Sequence, residues 1–470
     1  MSSDSNRRLT SEGLVRGLGR WDATMLTVGS VIGTGIFITT ADIARVLPHH
    51  GMILLLWIVG GLLTLAGALT YAELGALYPH AGGMYIYLKE AYGTFVGFLY
   101  GWACFLVIMS GGIAAIAVAF GEYLGSFMPA FSTRNVLFSL PIGSWSWSVS
   151  GGQVAAAIAI LVLTAVNYVG LREGAGVQNF LAVVRIGSIV AFVGLAFFAD
   201  PPEALSLASP LPDIGLLSAI GIGMVAVLWT YDGWYGPTFS AGEMRNPART
   251  LPFGLIWGTV IVIVLYALIN IIYLQTLSLD EIARTPRIAE SAATALFGVN
   301  GGRLMSLAVL VSAFGCLSAS ILYSSRIYLP MARDGVFFRG LAAVHPRYHT
   351  PGRSLWAQTL LAVVLALSGT YEQLYTYVIF ASLLFHVATA GAVIVLRVKK
   401  PDVERPYRVF GYPWVPILFI LGSTLLIANT LVEKPVESLI GLALLAAGVP
   451  AYAWWRRHPP EAAPNEPTQP

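Results

Sequence analysis

Charge is scarce in this chain. Only 11% of its 470 residues are Asp, Glu, Lys or Arg, whereas 56% are hydrophobic and the mean hydropathy is +0.73. That ratio excludes a soluble globular protein and identifies a polytopic α-helical membrane protein. Cysteine is nearly absent. Cys104 and Cys316 both fall in apolar segments, so they build no extracellular disulfide framework and read as small packing residues. The net charge of +3 is too small for a nucleic-acid-binding surface. Enzyme signatures are missing too: no Walker-type loop, no metal-spaced His and Cys set and no nucleophile elbow, with the seven histidines scattered. A non-enzyme without metal or cofactor is expected. Asn246-Pro247-Ala248 is not a glycosylation acceptor. Residues 1–20 are polar and basic, lack the apolar core and cleavage site of a signal peptide, and read as a cytoplasmic segment. The stretch 457–470, rich in Pro, Glu and Ala, reads as a disordered cytoplasmic tail.

Long apolar runs fill the rest. A helix crossing about 30 Å of hydrocarbon needs about 20 apolar residues. Twelve spans are expected, at 21–47, 51–77, 92–121, 152–170, 176–199, 215–240, 251–274, 302–331, 355–369, 374–397, 412–432 and 437–456. The segment 279–297 is amphipathic and reads as a short helix outside the bilayer. An even count puts both termini on one side. Twenty of the 27 Lys and Arg residues then share that side, six lie opposite, and Arg185 falls within the membrane. Positive charge concentrates on cytoplasmic loops, so both termini are expected in the cytoplasm, in a plasma membrane or bacterial inner membrane.

Two spans are interrupted. Span 1 carries Val28-Gly29-Ser30-Val31-Ile32-Gly33-Thr34-Gly35-Ile36-Phe37, with three glycines and two hydroxyls at mid-depth. Glycine lets backbone leave the helix, and backbone freed in hydrocarbon must find protein, water or a ligand. Span 6 is interrupted at Thr230-Tyr231-Asp232-Gly233-Trp234-Tyr235-Gly236-Pro237. Interrupted helices in corresponding positions point to a secondary transporter with inverted repeats. Spans 1–5 (21–199) and 6–10 (215–397) would be the two repeats, with 412–456 holding two extra helices.

Each break has two readings. A half-helix restarting near Gly35 would present N–H groups of Gly33, Thr34 and Gly35 to a carboxylate. The half ending near Val31 and Ile32 would offer carbonyls to an ammonium. The alternative is close helix packing through small residues. Asp232 lies about 17 residues into its span, where a carboxylate costs about 2.5–3.5 kcal/mol on insertion scales. It either caps the second half-helix or meets a substrate ammonium. Trp229 is either plain packing or an aromatic lid. Arg185 lies about 9 residues, or about 14 Å, into span 5. It either snorkels to the interface or stands as a fixed cation near the breaks, opposing a sodium ion there. On the cytoplasmic side, the groups around Glu243 and Arg245, Arg333 and Asp334, and Arg405 and Arg408 read as solvated loops or as inner gates.

Taken together, these segments resemble the amino acid–polyamine–organocation superfamily, and within it the L-type amino acid transporter family of exchangers. Matching points include the span 1 run, Tyr71-Ala72-Glu73-Leu74, His80-Ala81-Gly82-Gly83-Met84-Tyr85, and Tyr231-Asp232-Gly233-Trp234 through Gly242-Glu243-Met244-Arg245-Asn246-Pro247. Ser324-Ser325-Arg326 to Ala332-Arg333-Asp334-Gly335, and Lys400-Pro401-Asp402 to Arg405-Pro406-Tyr407, complete the ordered set. The resemblance implies an all-α fold with a 5+5 inverted repeat and broken helices 1 and 6. It places substrate carboxylate on the amides of Gly33, Thr34 and Gly35, and ammonium on carbonyls near Val31, Ile32 and Trp229. Tyr231, Asp232 and Gly233 join this site, with Trp229 as gate. Arg185 stands where the family commonly carries a lysine linked to sodium independence. Animal members pair with a heavy chain through a cysteine between spans 3 and 4. Residues 122–152 contain none, so no disulfide-linked partner is expected. The expected function is sodium-independent exchange of neutral L-amino acids. The rivals are a proton-coupled permease for cationic amino acids or amines, using Asp232 or Glu122, and a non-transporting membrane sensor.

Overall fold

The computed structural model describes residues 17–79, 82–142, 145–169, 174–199, 215–325, 327–343, 345 and 350–457. The expected tail beyond Arg457, most of the amino-terminal segment, and His80, Ala81 and Arg326 lie outside these residues. The chain is helical almost throughout, because apolar backbone in a membrane satisfies its own N–H and C=O groups within a helix. The first half comprises α1 (Arg20–Val31), α2 (Thr39–Val46), α3 (His50–Leu77), α4 (Met84–Tyr92), α5 (Thr94–Ala103), α6 (Met109–Phe127), α7 (Gly151–Val169) and α8 (Gly174–Ala196). The second half begins with α9 (Leu216–Tyr231), α10 (Pro247–Thr276), α11 (Leu279–Arg284), α12 (Ile288–Ser324) and α13 (Tyr328–Arg333). Then come α14 (Gly352–Ser368), α15 (Tyr371–Lys399), α16 (Trp414–Glu433), α17 (Pro435–Ala446) and α18 (Gly448–Arg457). Among the described residues, nine helical stretches are long and apolar enough to cross a membrane, and Val183–Ala196 and Gly352–Ser368 are shorter apolar helices.

Small residues set the packing. Lipid is as apolar as leucine, so helices associate through close van der Waals fit rather than burial from water. Gly254 and Gly258 on α10 face α1, and a Cβ on them would stand 2.6 Å from Ala23 Cβ and 2.4 Å from Thr27 Cβ. The Thr27 hydroxyl donates to the Gly254 carbonyl at 3.0 Å.

The chain leaves α-helical geometry at both expected places. After α1, Ile32 is extended, a 3₁₀ turn spans Gly35–Phe37, and Ile38 (φ −132°) precedes α2. After α9, Asp232 is extended and Gly233 has φ +95°. The helix then resumes as a 3₁₀ segment, Gly236–Glu243, whose first-turn cap position is Tyr235. No side chain caps it, so the capping role considered for Asp232 is not what the structure shows.

The all-α expectation needs one correction. Strands β1 (Val136–Ile142) and β2 (Trp145–Ser150) pair as an antiparallel hairpin between α6 and α7. The alternation Trp145-Ser146-Trp147-Ser148-Val149-Ser150 carries the period of two that makes a strand. The segment 279–297 also differs from a single short helix. It comprises α11 and the start of α12, which kinks at Gly298 (φ +76°).

Candidate functional site: a polar cavity at two helix breaks

The two breaks meet. Tyr266 of α10 reaches between them, its hydroxyl within 3.1 Å of the Val31 carbonyl and 3.2 Å of the Thr230 carbonyl. Gly233 lies against α1, where a Cβ would stand 2.5 Å from the Ser30 carbonyl oxygen. Around this junction is a cavity of about 590 Å³, counting its mouth, lined by Val31, Gly33, Thr34, Gly35, Trp229, Asp232 and Gly233. Seven of the expected site residues therefore share one cavity. Ile32 and Tyr231 do not line it. Ile32 is fully buried, and the Tyr231 hydroxyl instead donates to the Trp57 carbonyl of α3 at 3.1 Å.

Among the described residues, no group accepts a hydrogen bond from the amides of Gly33, Thr34 or Gly35. Buried amides are nearly always paired, so these donors point to a polar occupant. The carbonyl side is partly engaged. Val31 accepts from Tyr266, Ile32 accepts from Arg185 at 3.1 Å, and Trp229 accepts from the Asp232 amide at 3.1 Å. Each carbonyl oxygen has two lone pairs, which leaves one for an ammonium.

Arg185 is buried, 3% exposed, and its guanidinium also donates to the Gly29 carbonyl. It does not snorkel. It neutralises the negative end of α1, an arrangement worth up to about 2 kcal/mol in partly buried geometries.

Trp229 closes one wall. Its indole N–H donates to the Tyr371 hydroxyl at 2.8 Å, and its ring stacks on Tyr375 at 6.0 Å. Beyond Tyr371 lies a vestibule of about 2120 Å³, counting open space, which Asp42, Arg45, Glu122 and Glu372 line. The remaining wall of the inner cavity was not legible in the sequence. Met109, Gly112 and Ile113 of α6 form it with Cys316, Ser320 and Tyr323 of α12. A π-helical turn, Cys104–Ile108, leads into α6, and such turns recur at functional sites. Among the described residues, no cluster of His, Cys, Asp and Glu could hold a metal ion.

A family model for amino acid permeases matches residues 18–447. The chain belongs to the amino acid permease family. It is 34% identical over 444 residues to the serine/threonine exchanger SteT of Bacillus subtilis, covering 94% of this chain and 97% of the relative. It is 32% identical over 458 residues to the mouse large neutral amino acids transporter small subunit 2, covering 95% and 82%. The mouse b(0,+)-type amino acid transporter 1 is 28% identical over 454 residues, covering 96% and 90%. Membership makes this permease a multi-pass membrane transporter rather than an enzyme.

Proposed function

We propose that this permease exchanges neutral L-amino acids across the membrane by alternating access. The unpaired amides of Gly33, Thr34 and Gly35, facing a cavity whose other wall offers carbonyls, carry the reading. They suit the carboxylate and ammonium of one zwitterion. The small neutral groups of Gly112, Cys316 and Ser320 leave room for a short side chain, in keeping with the serine/threonine exchanger among its relatives. Trp229 is the gate between cavity and vestibule. Arg185 is a fixed cation that makes transport independent of sodium.

The same proposal includes twelve spans. The nine long helical stretches, the two shorter apolar helices and the interrupted pair α1–α2 supply them. The first ten form two inverted repeats of five, with both termini cytoplasmic. No disulfide-linked heavy chain is required, since residues 122–152 carry no cysteine. A second reading, uptake of cationic amino acids, draws on Asp232, whose side chain borders the cavity. Proteoliposomes test the first. Labelled serine uptake should rise several-fold with serine inside, and should not change when sodium replaces potassium. Equal uptake with and without internal amino acid would overturn exchange.

A further inference from the structure

Asp232 borders two cavities. The second, between α3, α9, α15 and α16, is lined by Thr64, Ser382, His386 and Ser423. His386 is buried, 5% exposed, with Nε2 3.9 Å from Asp232 Oδ1 and Nδ1 2.7 Å from the Tyr71 hydroxyl. The hydroxyls of Ser382 and Ser423 are buried there without a partner among the described residues. Plain apolar packing has no use for an imidazole, a carboxylate and two unpaired hydroxyls in one small space.

The geometry serves two protonation states. With neutral imidazole, Tyr71 donates its O–H to Nδ1, and the Nε2–H faces Asp232. With imidazolium, Nδ1–H donates to the Tyr71 oxygen and only the phenol proton turns. Heavy atoms need not move, since a hydroxyl both donates and accepts. One proton from water thus changes the charge of the pair from −1 to zero. The remaining neighbours do not compete. Trp234 and Tyr235 pack on the imidazole from the turn after α9, and Phe419 from α16. Tyr71, Cys104, Tyr235 and Tyr323 are the other titratable groups near Asp232. Phenols and thiols are ordinarily uncharged at neutral pH. Among the described residues in contact with His386, Asp232 is the one carboxylate.

We propose that Asp232 and His386 form a single proton-binding pair whose occupancy sets the charge of the substrate cavity, and so its choice between neutral and cationic amino acids. His386 acts through Asp232 and is a positioning residue. The inference rests on the substrate reading of the cavity at Gly33, Thr34 and Gly35. The protonated pair leaves the cavity neutral and favours side chains such as that of serine. The deprotonated pair frees the carboxylate for an ammonium or guanidinium.

Competition in proteoliposomes tests this. The potency of lysine relative to alanine against labelled serine uptake should rise roughly tenfold or more between about pH 5 and 8. In His386→Gln the ratio should lose its pH dependence, and in Asp232→Asn lysine should compete poorly at every pH. A flat ratio in the wild type, or an unchanged slope in His386→Gln, overturns the pair. If no amino acid competes at any pH, the substrate reading is what fails. The pair is then judged without substrate, by nuclear magnetic resonance of ¹⁵N-histidine-labelled protein in nanodiscs. The signal lost in His386→Gln should follow pH in the wild type and change its profile in Asp232→Asn. Identical profiles in the two proteins would overturn it.

Discussion

The three glycines and one arginine at the span 1 break hold different tasks, although the sequence presents them alike. A Cβ on Gly35 would stand 2.6 Å from Thr230 Oγ1, so Gly35 is a contact between helices. A Cβ on Gly33 would meet Cys316 Sγ at 3.4 Å and the Val31 carbonyl oxygen at 3.9 Å, ordinary contacts at the cavity wall. One motif thus holds both a glycine wedged against α9 and a glycine that opens on the cavity. Arg185 donates to Gly29 and Ile32 at the end of α1. Hydrogen bonds from a charged group are worth about 1.5–3 kcal/mol each, and about 1.4 kcal/mol is tenfold in an equilibrium. Arg185→Ala should therefore lower exchange at least about tenfold. Arg185→Lys, a point charge on a different stem, should restore part of it. Equal rates in all three proteins would remove Arg185 from the mechanism. The intramembrane charge was legible because hydrocarbon makes it conspicuous. Its partners, the turned-away Tyr231 and the pairing of His386 were not, because tertiary contacts across α3, α9 and α15 decide them.

At the scale of elements, α1 and α9 are joined at their broken ends, and Tyr266 bridges the joint. Gly35 against Thr230 is one of its tight steric points, where the added methyl of Gly35→Ala would also lie 3.0 Å from Thr230 Cβ and Cγ2. Overpacking of this kind costs about 1–3 kcal/mol. Gly35→Ala should insert into the membrane yet exchange at least about tenfold more slowly. Thr230→Ala in the same chain should return part of the rate, which a direct loss of an amide contact would not allow. Rates measured in the two variants decide between wedge and lost contact. The breaks were legible because glycine, hydroxyl and carboxylate groups interrupt runs that are otherwise apolar. Their restart as 3₁₀ turns was not, since neither Gly236-Pro237 nor Gly35-Ile36 specifies a helix type. The hairpin β1–β2 was hidden for a related reason. Its short alternating stretch lies between two strong helical runs, and the apolar pattern of those runs dominates any span count.

Across the whole molecule the two ends differ. At the Lys- and Arg-rich end, Glu73 is 2% exposed and receives Arg397 at 2.6 and 2.9 Å and the Val409 amide at 2.7 Å, with Arg405 3.5 Å away. Asp334 receives Lys89 at 2.6 Å and the Tyr85 hydroxyl. Leu18 pairs with Glu243 and Arg245 through backbone bonds. Lys400 meets Glu90 at 2.8 Å. The Glu90 carboxylate and the Tyr78 hydroxyl hold the Lys400 ammonium above its usual range, so that contact weakens only as pH rises past the raised value. The solvated-loop reading of this end gives way to a set of ionic ties among α3, α4, α13 and α15. Glu73 is the tie that a sequence reading passes over, because one acid near a helix end looks like an ordinary boundary. The opposite end holds the vestibule, so this is a conformation closed on the basic side. Alternating access requires the ties to break, and their strengths set which variant is informative. Stripping a buried pair of one partner costs about 3–5 kcal/mol, so Glu73→Gln threatens the fold itself. The Lys89–Asp334 pair is about one-third exposed on each side and worth at most about 1 kcal/mol. Asp334→Asn should therefore shift the population toward the basic-side-open form by only about two- to fivefold. Cys316, which lines the inner cavity, is a native reporter of that shift. In a Cys104→Ala background, a membrane-impermeant maleimide added to the basic side should label Cys316 faster in Asp334→Asn by that factor. An unchanged rate would show that Lys89 and Asp334 do not hold this end shut.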